Sequence, residues 1–265
     1  MNIRNSTLKI GLVQMFCEKA NITRNLENHS ERIDEAERKG IDILVFPEAS
    51  ITGYIDRGGH PEAIIRRDGP EIEELRKKTS GRKVTVLAGF IEANPGGKPF
   101  VTQVAIRDSR ITGYFRKMTI VDDDVEWFTP GDATPVSTFG GLKYGIAICS
   151  DICNEAVFAG YARQGAGIVF ECAAPGLYGE QATRDWKSGY EWWEGVCREY
   201  LSRYARKYGL WITVATQAGR TIDEDFPGGG YVFSPDGERV YATGDWQPGV
   251  ACLELNLQNS QVREI

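Results

Sequence analysis

The chain has 265 residues, 26% of them charged, and a net charge of −6. Its basic runs, Arg66-Arg67 and Arg76-Lys77-Lys78, are short and flanked by Glu and Asp, which excludes the basic footprint of a nucleic-acid-binding protein. At this length a domain buries about three quarters of its unfolded surface, so no disulfide or metal is needed as a staple.

Met1 to Thr7 is polar, and the apolar run Leu8 to Val13 is too short for a signal sequence. No stretch has the apolar length of a membrane helix. The six cysteines, Cys17, Cys149, Cys153, Cys172, Cys197 and Cys252, are scattered and several lie in apolar runs. That pattern reads as free thiols in a reducing cytoplasm, with a secreted disulfide framework as the alternative.

No internal repeat, low-complexity segment or linker interrupts the chain, so one domain is expected over residues 1–265. Leu8 to Gln14 reads as a strand. A helix follows, with Asn21 as N-cap, Ile22, Leu26, Ile33 and Ala36 on one stripe, and Gly40 at its end. Ile43 to Phe46 is a continuous apolar run, as in a strand covered on both faces. A helix is predicted over Pro70 to Thr79. Strands follow over Lys83 to Ile91, Phe100 to Ile106 and Ile111 to Arg116, separated by turn residues. Leu142 to Cys149 is the next strand, Asn154 to Gln164 a helix and Gly167 to Glu171 a strand. Arg184 to Tyr208 reads as a long helix and Leu210 to Thr216 as a strand. Two or three strands are expected from Gly229 to Leu255, around the turn Ser234-Pro235-Asp236-Gly237. The strand–helix alternation argues an α/β fold.

Three segments each carry one reactive group at the end of a predicted strand. Phe46-Pro47-Glu48 carries a carboxylate, Arg116-Lys117-Met118 an ammonium, and Ile148-Cys149-Ser150-Asp151 a thiol. Together they are a base, a cation for an oxyanion and a nucleophile, the set needed to attack a carbonyl carbon. A carboxylate closing an apolar strand is partly desolvated, which raises its pKa into the range of a general base. A thiol between a strand end and a helix start meets backbone N–H groups, which are expected to lower its pKa. Each residue alone has a blander reading: a solvated Glu, a strand-capping Lys, a buried Cys. A Cys–His mechanism is disfavoured. The two histidines are His29, inside the first helix, and His60, in a Gly/Pro loop. Cys149 and Cys153 lack the further ligands a zinc site needs. Gly228-Gly229-Gly230 lacks the context of a phosphate loop. No cofactor or metal is expected.

The strings around these residues resemble the nitrilase superfamily, the carbon–nitrogen hydrolases. Leu44-Val45-Phe46-Pro47-Glu48-Ala49-Ser50-Ile51-Thr52-Gly53-Tyr54 is similar to the first signature. Tyr114-Phe115-Arg116-Lys117 is similar to the second, with Phe115 added. Gly145-Ile146-Ala147-Ile148-Cys149-Ser150-Asp151 is similar to the nucleophile strand. After it the chain departs from the pattern: Cys153-Asn154-Glu155 stands where an aromatic-Pro-Glu run is usual. The resemblance implies a four-layer αββα sandwich and a Glu48–Lys117–Cys149 triad cleaving C–N bonds through a thioester. Lys117 and the Ser150 N–H would form the oxyanion hole. A second carboxylate belongs just before the turn Phe128-Thr129-Pro130-Gly131-Asp132. Glu126, with the longer side chain, is the first choice there, and Asp124 is the alternative. Tyr54, Asp151, Glu171, Cys172 and Ala173 are expected against the substrate.

Nitrilases proper carry Trp-Glu after the cysteine, and Ser150-Asp151 stands here, which favours a small amide or N-carbamoyl substrate over a nitrile. A non-catalytic ligand-binding relative is a further alternative. The acyltransferase branch, with its membrane domain, and the glutaminase branch, fused to a synthetase, are disfavoured because neither partner domain is visible in the chain. Trp186, Tyr190, Trp192 and Trp193 form either a core or subunit-contact face or a wall of the pocket. The resemblance also implies a homo-oligomer built from a dimer. The ten residues after Leu255 are short for a clasping arm, so larger spirals are not expected.

Overall fold

The structure is a computed structural model, which describes residues 7–55 and 58–265. Strand β1 (Thr7–Gln14) leads to helix α1 (Ile22–Arg38), where the Asn21 side chain accepts from the Arg24 N–H at 3.2 Å. Then come β2 (Ile43–Val45), α2 (Pro70–Lys78), β3 (Thr85–Glu92), β4 (Phe100–Arg107) and β5 (Arg110–Arg116). The second half holds β6 (Ser137–Phe139), β7 (Leu142–Ile148), α3 (Glu155–Arg163), β8 (Ile168–Ala173), α4 (Trp186–Tyr208) and β9 (Trp211–Thr216). It closes with β10 (Ala218–Arg220), β11 (Asp225–Pro227), β12 (Gly230–Phe233), β13 (Arg239–Ala242), β14 (Gly249–Asn256) and β15 (Gln261–Glu264).

The strands form a seven-stranded sheet, β15-β14-β1-β2-β3-β4-β5, and a six-stranded sheet, β13-β12-β9-β8-β7-β6, with β10 and β11 as a separate hairpin. In each sheet the central strands, β1-β2-β3 and β9-β8-β7, run parallel, and antiparallel neighbours flank them. Strand alternation sorts the side chains into three cores. Ile10, Val45 and Leu87 of one sheet meet Ile146, Ile148 and Phe170 of the other. Leu44, Phe46 and Val86 meet Leu26 and Ile33 of α1 and Leu75 of α2. Ala147, Val169 and Ile212 meet Phe158 of α3 and Leu201 of α4. The result is the four-layer αββα sandwich.

Four short strands were not foreseen. Three-residue strands such as β6 and β10 are too short to show a period-two pattern, and β15 is an exposed edge with one apolar residue, Val262. Among the described residues no helix is long and apolar enough to cross a membrane. All six cysteines are free thiols.

Candidate active site

Three chain reversals at one end of the two sheets bring the chemistry together. After β2 the chain turns through Pro47, with Ala49 at φ +51°, and lies directly on β3. Gly89 permits that approach, because a Cβ there would sit 2.4 Å from the Ala49 nitrogen. Ser50 Oγ accepts from the Gly89 N–H at 3.0 Å and bonds His29 Nε2 at 3.0 Å, while the His29 ring stacks on Phe46 at 4.0 Å. Lys117 follows β5, its N–H donating to the Val101 carbonyl at 2.9 Å and its own carbonyl accepting from Gly131 at 2.7 Å. Cys149 follows β7 and opens a short 3₁₀ helix, Cys149–Cys153, at φ +48°. A β-carbon-bearing residue held at positive φ carries strain of the kind found at functional turns.

Lys117 Nζ donates to Glu48 Oε1 at 2.9 Å, with both side chains buried. Glu48 Oε2 accepts from the Ala174 N–H at 3.0 Å, and the Glu48 carbonyl accepts from Gln217 Nε2 at 2.8 Å. The carboxylate is therefore held at both oxygens, and the Glu48 backbone is anchored separately. Burial raises its pKa, and Lys117 and then the Cys149 thiol oppose that rise. Burial works against the Lys117 charge, but Glu48, Tyr54 and Cys149 outweigh it and keep the ammonium charged. The Cys149 thiol is pushed well up by burial and by Glu48, against Lys117 and the Ala174 N–H. This corrects the sequence expectation of a lowered thiol pKa: at the foot of the cavity, desolvation exceeds the help from backbone N–H groups. The thiol rests protonated, with the Glu48 carboxylate beside it.

A cavity of about 480 Å³ opens over these groups, with Tyr54, Lys117, Cys149 and Ser150 in its lining. Ser150 Oγ donates to the Thr119 carbonyl at 2.6 Å. Its N–H is among the leading donors of the 3₁₀ helix, the groups that a helix leaves without intrahelical partners.

The remaining expected residues divide. Glu126 is exposed and away from the cavity, whereas Asp124 lines it and accepts a hydrogen bond from the Tyr54 hydroxyl. Both lie in a 3₁₀ helix, Asp122–Glu126, where two residues turn the side chain by about 240°. The longer side chain therefore points elsewhere, and the preference for Glu126 is corrected to Asp124. Asp151 is buried and faces backbone. Oδ1 accepts from Met118 at 3.0 Å and Thr119 at 2.8 Å, and Oδ2 accepts from Ile148 at 3.0 Å. It ties the segment after Lys117 to the strand before Cys149 and does not line the cavity.

Glu171, Cys172 and Ala173 are also buried in β8, outside the cavity lining. Cys172 belongs to the core between the sheets and Ala173 to the core under α4. Among the described residues no donor meets the Glu171 carboxyl in good hydrogen-bond geometry, although the Cys149 N–H lies near enough to act on it. Burial, then Asp151 and Glu48, push its pKa well up and favour its neutral form. The cavity wall starts one residue later, at Ala174, and runs to Tyr178. The aromatic segment splits. Trp192 and Trp193 line the cavity, with Trp193 Nε1 donating to Thr216 Oγ1 at 2.9 Å. Tyr190 donates to the Thr243 carbonyl, and Trp186 lies 5.9 Å from the Arg220 guanidinium. Exposed Cys153 also lines the cavity. Glu155, at the end of the departing Cys153-Asn154-Glu155 run, accepts from Tyr208 at 2.7 Å and ties α3 to α4.

A model of the carbon–nitrogen hydrolase family matches residues 9–263. This chain belongs to that family, within the nitrilase superfamily. The carbon–nitrogen hydrolase is 25% identical over 266 residues to the glutamine-dependent NAD(+) synthetase of Thermotoga maritima, covering 96% of this chain and 43% of that protein. It is 31% identical over 162 residues to the formamidase of Bradyrhizobium diazoefficiens, covering 58% of this chain and 47% of that protein. The matched regions thus span less than half the length of these curated relatives. The amidase of Nesterenkonia sp. AN1, solved with the acetamide moiety of fluoroacetamide added at its active-site cysteine, superposes with a TM-score of 0.76. It is 20% identical, and the match covers 97% of this chain and 94% of that one.

Proposed function

We propose that this carbon–nitrogen hydrolase is a thiol amidohydrolase acting on small amides or N-carbamoyl compounds. The observation that carries the reading is the convergence of Glu48, Lys117 and Cys149 at one cavity, with Lys117 Nζ 2.9 Å from Glu48 Oε1. Glu48 takes the thiol proton as Cys149 Sγ attacks the carbonyl carbon. Lys117 and the Ser150 N–H stabilise the oxyanion. The C–N bond breaks, Glu48 returns the proton to the departing ammonia or amine, and a thioester is left. Glu48 then activates water, which hydrolyses the thioester and frees the thiol. Asp124, joined to Tyr54, orients the substrate or the water. The similarity to formamidases and to an amidase with an active-site cysteine supports this scheme.

The match of 96% of the chain to a glutamine-dependent synthetase favours a second reading, glutamine hydrolysis that supplies ammonia. A panel of primary amides, N-carbamoyl compounds, nitriles and glutamine, read by ammonia release, tests both. Amide turnover that disappears in Cys149→Ala supports the first reading. Turnover confined to glutamine supports the second, and turnover that survives Cys149→Ala sinks the thiol mechanism. We further propose a dimer as the working unit, on the family resemblance.

A further inference from the structure

The cavity over Cys149 is unevenly built. Its volume of about 480 Å³ is in the range that holds ligands far larger than formamide. Apolar groups, Ile152, Leu177, Trp193 and Val196, occupy one flank. They suit a short hydrocarbon spacer leading away from the reacting carbonyl.

Among the described residues the rim has one sign of charge. Asp122, Asp123 and Asp124 line it in succession, and no cation lies within ion-pair distance of any of them among the described residues. Glu224, also in the lining, is already matched by Lys19 at 2.8 Å. Among the described residues the one cation in the lining, Lys117, is bound to Glu48. Three carboxylates on an open loop would mark only a solvated surface. These three close a cavity with a nucleophile at its floor, so whatever reaches Cys149 passes under their potential. Trp192, 42% exposed, and Tyr178, 85% exposed, stand in the same lining and offer aromatic faces to a cation.

We propose that the preferred substrate is an amide or N-carbamoyl compound whose end remote from the reacting carbonyl carries a positive charge, separated from it by a short apolar spacer. The inference rests on the amidohydrolase reading above. The scissile group meets Cys149 and Lys117, the spacer lies along Ile152 and Val196, and the cation rests between the Asp122–Asp123 carboxylates and Trp192. An anionic end would meet three carboxylates that have no ion-pair partner among the described residues and is rejected by the same groups.

The test compares kcat/KM for three primary amides of equal length, ending in an ammonium, a methyl group or a carboxylate. Asp122 and Asp123 are exposed and screened, so the expected preference for the ammonium over the methyl compound is about tenfold, equivalent to about 1.4 kcal/mol. The carboxylate compound should be the poorest. The ammonium-to-methyl ratio should fall toward one in Asp122→Asn/Asp123→Asn, and also in the unaltered protein at high ionic strength, a readout that needs no variant. A methyl or carboxylate preference, or an ammonium preference that survives both the double substitution and the salt, overturns the inference while leaving an active amidohydrolase. Failure to turn over any amide overturns the amidohydrolase reading and the inference with it.

Discussion

Replacing Gly145 by alanine should destabilise this molecule by forcing a clash in the layer behind Cys149. Gly145 lies in β7, four residues before Cys149, on the face that meets α3. A Cβ built there falls 2.3, 2.5 and 2.6 Å from three atoms of the Tyr161 ring. The ring is fully buried, and its hydroxyl donates to the Ile146 carbonyl at 2.5 Å. It must therefore shift by about 1 Å to restore ordinary contact, and in doing so it loses that bond. Overpacking costs about 1–3 kcal/mol. The lost buried hydrogen bond adds about 1 kcal/mol, and the smaller backbone entropy of alanine returns about 0.4–1 kcal/mol. The expected loss is about 2 kcal/mol, read from the urea midpoint at constant m-value. Combining Gly145→Ala with Tyr161→Leu should recover part of it, because the second change removes the obstructing ring. A loss below about 1 kcal/mol, or strictly additive effects of the two changes, would refute the packing argument.

Cys149→Ala should abolish ammonia release and leave the fold intact, as far-UV circular dichroism would report. Glu48→Gln and Lys117→Ala should each lower kcat by orders of magnitude, with losses that do not add to that of Cys149→Ala; Lys117→Ala should also destabilise by about 3–5 kcal/mol, because it leaves Glu48 buried without its partner. Iodoacetamide should label two cysteines, Cys149 and exposed Cys153; in Cys153→Ser the remaining label should sit on Cys149 and form more slowly when Glu48→Gln removes the base, as peptide mass mapping would show. Asp124→Asn should lower kcat/KM by tenfold or more, whereas Glu126→Gln should change it less than twofold. For stability against pH, two buried groups oppose each other. Burial lowers His29 from 6.5 to about 4 and raises Asp151 from 3.8 to about 6. Between these limits the unfolded state holds more protons at His29 and fewer at Asp151. Acidification therefore costs stability through His29 and gains it through Asp151, about 3 kcal/mol each at 1.36 kcal/mol per pKa unit. Urea midpoints in His29→Gln should rise more steeply than in the unaltered protein as pH falls from 6.5 to 4; equal slopes would contradict the assignment.

The sequence by itself determined what is local. Continuous apolar runs marked the central parallel strands, and Asn21 and Asn154 marked helix starts that the structure confirms by side-chain caps. Glu48, Lys117 and Cys149 were legible because each sits in a string whose neighbours constrain it: a strand end, a turn residue, an aromatic flank. The tertiary structure alone decided everything that depends on the direction of a side chain after an irregular turn. Asp124 and Glu126 differ by two residues, and only the 3₁₀ path of that loop shows which one meets Tyr54. Asp151 sits two residues after the nucleophile, yet its carboxylate is spent on three backbone N–H groups from two separate segments. Glu171 reads as a strand end near the site, but the pleat of β8 turns it into the layer under the helices. The thiol pKa was misjudged for the same reason. A strand-to-helix turn is visible in the chain, whereas the burial that outweighs its N–H groups arises only when both sheets, α4 and the segment from Ala174 to Tyr178 close around Cys149.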